Sequence, residues 1–207
     1  MENKNDVFDI IISFVKAHKK EKDVRYIESE YKGKTQKIWG VGYLLNQILR
    51  QLDVPKERML VSQEAQKLWN QITDEDINNY YYHYKATSKY SGAEIEKYKG
   101  ANKSPTSKCK LEIGESFIFN DIFHEEHVVP IAVIIEELEK LYPDNLDYEH
   151  VNDVLEHIYI CRMLKSEDRK ITEKYDRSFD KDDVIKNIYN EKYKIYLVGQ
   201  TIPEETK

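Results

Sequence analysis

Two short stretches of this chain hold side chains that could do chemistry together. His124, Glu125, Glu126 and His127 stand consecutively, and Glu167 and Asp168 stand side by side further on. Carboxylate oxygens hold hard divalent cations such as Mg2+, and an imidazole nitrogen widens the choice to Mn2+, Ni2+ or Zn2+. A cation so held places positive charge on a leaving oxygen, and a histidine titrating near neutral pH suits proton removal from water. That combination is what a single-metal phosphodiesterase site requires. Two other uses fit less well. The histidines are one residue too close for the His-Glu-x-x-His helix face of zinc proteases. A structural zinc on His124 and His127 finds no completing pair, since Cys109 and Cys161 lack ligand spacing.

These groups need rigid elements to carry them. The aromatic and β-branched run from Phe117 predicts a strand that delivers His124 to His127 at its end, before Pro130 stops regular structure. Ile158 to Met163 predicts a second strand, followed by a short charged helix holding Glu167 and Asp168 and capped by Ser166. Two helices are expected between the strands. One has Ile131, Ile134, Ile135, Leu138, Leu141 and Tyr142 inward and ends at Pro143, and the other carries Tyr148, Val151 and Leu155. Upstream, Val7, Ile11, Phe14 and Val15 mark a first helix. Val41, Leu44, Leu45, Ile48, Leu49 and Leu52 mark the clearest one. Tyr26 to Trp39 reads as a loop or weak hairpin. Ser62 to Ile72 reads as a helix, and Thr73 as the cap of another running through Lys85. The tail predicts a helix from Asp182 to Lys192, then strand from Tyr193 to Val198 and a disordered end.

Charge narrows the partners. Charged residues make up 34% of the chain and the net charge is −6, so the surface is heavily solvated. Against that background Asn79 to Lys110 is locally basic and rich in tyrosine, with Lys97, Lys99 and Lys103 near its centre. Lysines neutralise phosphates, while tyrosines offer hydroxyls to phosphate and faces to bases, so contact with nucleic acid is expected there. A lysine-rich solvated loop is the plainer alternative. His18, His83 and His150 read as solvent-exposed. No apolar run is long enough to span a bilayer, no leader is expected, and two cysteines do not make a disulfide framework. A reducing, cytoplasmic setting without membrane contact is the expectation.

Phe123-His124-Glu125-Glu126-His127-Val128-Val129-Pro130 resembles the opening half of the HNH (ββα-metal) endonuclease motif, acid-His-(Ile/Val)-(Ile/Val)-Pro. The resemblance implies that Glu126 holds a metal and that His127 is the base for water. Glu167, or Asp168 as second choice, stands where the family has a helix Asn or His, and His157, or Asn152 as second choice, stands in place of the middle Asn. It further implies an α+β fold: a mainly helical N-terminal half, a ββα-metal core and a C-terminal helix. The regions would be 1–78 (helical), 79–115 (basic), 116–175 (nuclease core with helical insertion) and 176–207 (cap and tail). The implied activity is metal-dependent cleavage of DNA, with Mg2+ foremost, in a restriction or phage-defence role and with a homodimer on two-fold sites. Arg162 and Lys165 would neutralise phosphate charge. The rival reading is a non-catalytic nucleic-acid-binding or protein-interaction module in which the acid–histidine cluster is a structural polar patch.

Overall fold

The computed structural model describes residues 3–21, 26–31, 34–72, 76–79, 85–87, 116–118, 122–172 and 177–203. In chain order the elements are α1 (Asn3–Glu21), β1 (Tyr26–Tyr31), β2 (Lys34–Trp39), α2 (Val41–Arg50), β3 (Met59–Val61), α3 (Gln63–Ile72), β4 (Lys85–Thr87) and β5 (Ser116–Ile118). There follow β6 (Phe123–His127), α4 (Ile131–Lys140), α5 (Tyr148–Leu155), β7 (Ile160–Leu164), α6 (Lys165–Asp168) and α7 (Lys181–Asp183), which runs into a π-helix over Val184–Lys192. The class is α+β. The chain divides into two compact units, one of residues 1–53, 129–158 and 177–180, the other of 54–128, 159–176 and 181–207.

The first unit is helical, with one antiparallel hairpin, β1–β2, where a loop or weak hairpin was expected. Helices α1, α2, α4 and α5 pack through apolar stripes: Ile11 and Val15, Leu45 and Leu49, and Ile131, Ile134, Ile135 and Leu138 are all buried. These stripes recur at helical spacing, which is why the pattern was readable. Asp147 caps α5 by accepting the His150 backbone N–H at 3.0 Å, and that bond holds the Asp147 carboxyl below its ordinary range. His150 is exposed, as expected. His18 is not: it is buried on α1, paired with Glu139 of α4, because its position continues the stripe of Ile11 and Val15.

The second unit is built on a three-stranded mixed sheet of order β3-β7-β6, with β3 parallel and β6 antiparallel to β7. Central β7 is buried at every position, as a strand covered on both faces must be. Trp69 of α3 meets Phe123 of β6 edge to face, centroids 5.9 Å apart. Cys161 and Met163 of β7 join a second cluster with Ile171, Val184, Ile185, Tyr189, Ile195 and Leu197.

Several expectations shift here. The continuous strand expected from Phe117 is two, β5 and β6, paired with different partners. The helix expected from Thr73 through Lys85 gives way, in its described part, to a single 3-10 turn (Ile77–Asn79) and to β4. Strand β3, too short to show a period, was not anticipated. The strand expected at Tyr193 to Val198 is a single bridge, Ser62 to Leu197. Its flanking bonds, Val198 N to Val61 O and Gln63 N to Tyr196 O, run along the open edge of β3.

Candidate metal centre

Successive side chains of a strand point to opposite faces, and β6 follows that rule. Phe123 and Glu125 share one face, Phe123 against Trp69 and Glu125 against Arg162. His124 and Glu126 share the other, with His124 Nε2 at 3.4 Å from Glu126 Oε2. Register places β6 beside β7, Phe123 opposite Leu164 and Glu126 opposite Cys161. Since α6 begins at the residue after β7, its first turn is delivered next to the start of β6, and Lys165 N bonds Ile122 O at 2.9 Å. Asp168, in that turn, brings Oδ1 to 3.8 Å from His124 Nε2.

The nitrogen and the two carboxylate oxygens all lie within 4.8 Å of one another. Two donors, each roughly 2.1 Å from one cation at tetrahedral or octahedral angles, lie about 3.0–3.4 Å apart. The group therefore fits a single metal ion with small side-chain adjustment, and could hold one. The Glu126 and Asp168 side chains are only 15% and 13% exposed, against 38% for His124, so the carboxylates are shielded and the imidazole is the open side. Neighbouring Cys161 is not among the converging donors. Burial pushes its thiol well up, and the charges of Glu167 and Glu126 push it further.

The residues read from sequence are distributed as follows. Glu126 and Asp168 converge. Glu167 does not join them: its Oε2 accepts the Ser62 hydroxyl at 2.6 Å and the Leu164 backbone N–H at 2.9 Å. Adjacent helical residues diverge by about 100°, so only one of the pair can face His124. Burial raises the Glu167 carboxyl above its ordinary value, with the two donors pulling the other way. This carboxylate, rather than Ser166, closes the start of α6, where Leu164 is the cap residue. Ser62 serves both ends, since its Oγ also accepts the Ala65 N–H at 3.1 Å and caps α3.

His127 is not brought into the group either. It is the last residue of β6, and Val128 N still bonds Tyr159 O at 2.9 Å, so the ladder runs past it. By alternation His127 takes the face of Glu125, and the backbone bends only after it, at Val128 and Val129 before Pro130. His157 belongs to the helical unit, its ring stacked on Phe179 at 4.0 Å between centroids. Asn152 is exposed on α5, donating to Glu156. Arg162 is buried in the sheet, where Nε donates to Glu125 at 3.1 Å and Nη1 to the Ile77 carbonyl. Lys165 opens α6, and Lys97, Lys99, Lys103 and His83 lie outside the described residues. The member that sequence reasoning missed as a partner of Glu126 is His124. Its signal was the i, i+2 spacing, which puts His124 and Glu126 on one face of a strand that runs regularly through His127.

Among the described residues no helix is long and apolar enough to cross a membrane. Comparison with known proteins gives no match: no family model, curated protein or solved structure is similar to this chain.

Proposed function

We propose that the sheet-based unit carries a divalent-cation-dependent phosphodiesterase site that cleaves DNA, of the kind used in restriction or phage defence. One observation carries the reading. His124 and Glu126 of an edge strand and Asp168 of the helix following its antiparallel partner converge on one point. Strand, partner strand and helix in that order are what the HNH-like motif implies.

A cation bound there would supply positive charge to a phosphoryl oxygen and to the leaving oxygen. The residues of the chain do the rest. Glu126 and Asp168 are the anionic donors, and His124 is a third donor only when its ring is neutral, so acidification weakens cation binding. With an imidazole beside two carboxylates the donor set leans from Mg2+ toward Mn2+, Ni2+ or Zn2+. We assign proton acceptance from water to His127 on the motif resemblance alone, since its side chain lies on the face of β6 opposite the donor group. On an edge strand, a substrate lying along the open side borders groups of both faces.

The test is plasmid cleavage with Mn2+ and with Mg2+, alongside calorimetric Mn2+ binding. Glu126→Ala and Asp168→Ala are expected to lower cleavage by a factor on the order of 100 or more and to weaken Mn2+ binding. His124→Ala is expected to lose affinity but to recover cleavage at high Mn2+. His127→Ala is expected to bind Mn2+ normally and to cleave about 100-fold more slowly without rescue, as loss of a general base does. A protein that shifts DNA in a gel yet never nicks it with either metal is a binding module instead. Wild-type cleavage by His127→Ala would remove the base from that residue.

A further inference from the structure

Which groups meet the phosphate is a separate question, because Arg162 is already engaged inside the sheet. The first turn of α6 offers two others. Arg169 N bonds Lys165 O at 3.2 Å, and Arg169 is the cap residue with helical dihedrals, so helical spacing holds through Arg169. Leu164, Glu167 and Ile171 form the buried side of this turn. Lys165, Asp168 and Arg169, at i, i+3 and i+4, share the adjoining side, where neighbours stand about 5–6 Å apart between Cβ atoms. Lys165 and Arg169 are both half-buried, and neither side chain makes a hydrogen bond or ion pair among the described residues. Among the described residues several other cations are engaged, such as Lys140 with Glu137, Lys181 with Asp182 and Arg50 with Asn46.

The placement of charge discriminates between uses. A site that only stores a cation gains from negative neighbours, and a lysine and an arginine on the same helix face would repel the ion. They make sense when an anion shares the site. A phosphodiester approaching Glu126 and Asp168 is repelled by both, and cations one turn apart beside Asp168 offset that repulsion. Arginine adds a planar fork that fits phosphate oxygens in pairs, and lysine a compact point charge.

We propose that Lys165 and Arg169 form a two-point clamp for the DNA backbone beside the His124–Glu126–Asp168 group. This rests on the phosphodiesterase reading and adds the residues that hold its substrate. Arg169 grips phosphate oxygens bidentately, and Lys165 neutralises the neighbouring charge.

The test separates binding from cleavage. Affinity for a short DNA duplex is measured by fluorescence anisotropy with the divalent cation chelated, over a range of salt. The full-length Lys165→Gln, Arg169→Gln double variant is expected to bind at least about tenfold more weakly. Its dependence of log affinity on log salt should be shallower by roughly two, one for each lost phosphate contact. Its Mn2+ binding is expected to be retained or strengthened, since two charges that repel the ion are gone, and that also certifies that the site has folded. Arg169→Lys should keep the salt slope and lose part of the affinity, because charge remains and the fork does not. Unchanged affinity and slope in the double variant would overturn the clamp while leaving Mn2+-dependent cleavage, and with it the phosphodiesterase, intact. Loss of Mn2+ binding together with DNA binding would overturn it too, by making the two residues part of the fold of the metal site.

Discussion

Strand β6 offers a carboxylate on each of its faces, and the two end differently. On one face Glu125 meets Arg162, whose guanidinium is buried and also bonds the Ile77 carbonyl. That pair is complete, and its charge is spent on holding the 3-10 turn against the sheet. On the other face His124 and Glu126 meet Asp168, a second carboxylate rather than a cation. The two carboxylates repel each other, and with the imidazole they converge as donors, an arrangement suited to binding a positive ion. The same contrast is repeated on α6. Glu167 turns inward to two hydrogen-bond donors, while Asp168, its neighbour, faces His124. Residue type does not separate the carboxylates that are bonded into the fold from those that gather as donors in this protein. What separates them is whether donors or further acceptors surround them.

That contrast can be put under strain by mutation. The largest effect on stability is expected at the complete pair. Arg162→Ala should cost about 3 kcal/mol, because it leaves a gap in the sheet core and takes the donor from a buried carbonyl. Glu126→Ala should change urea-denaturation stability by less than about 1 kcal/mol, since it relieves like-charge crowding. Equal losses for the two variants would make the His124 group structural as well. Next comes Ser62→Ala, which removes both the α3 cap and the donor to buried Glu167. A cost of about 2 kcal/mol is expected, measured in the same way, with Mn2+ affinity unchanged.

The smallest effect is expected from Glu167→Gln, and it is one of pH. The native Glu167 carboxyl holds its proton above its ordinary value near 4.5, so just above that pH the folded state binds more protons than the unfolded state. Stability due to this group is therefore full below pH 4.5 and declines as pH rises through the raised value. Glutamine keeps an oxygen for Ser62 and Leu164 and cannot ionise. The variant should lie within about 1 kcal/mol of the parent near neutrality and lack this decline in a denaturation series across mildly acidic pH. If the decline persists, another group is its source.

Much of the helical framework was legible because a helix that buries one face must repeat apolar residues at its own period. Val41 to Leu52, Ile131 to Tyr142 and Tyr148 to Leu155 all do so, and the structure has α2, α4 and α5 there. Strand β7 was readable as a short apolar run, displaced by two residues at its start. Three-residue β3 and β4 were not, since so short a segment shows no period, and β5 was legible only as the start of a strand that the structure divides in two.

By itself, the chain determined that acids and histidines are concentrated at His124 to His127 and at Glu167 and Asp168, and that helices flank them. Only the tertiary structure decided which of them meet. The register of β6 on β7 selected His124 and Glu126 over His127, and the angle between consecutive residues of α6 selected Asp168 over Glu167. Burial assigned Arg162 to the interior. Composition and spacing are properties of a line. Whether a side chain faces a donor, an acceptor or solvent depends on pairings between distant segments, which local periodicity does not encode.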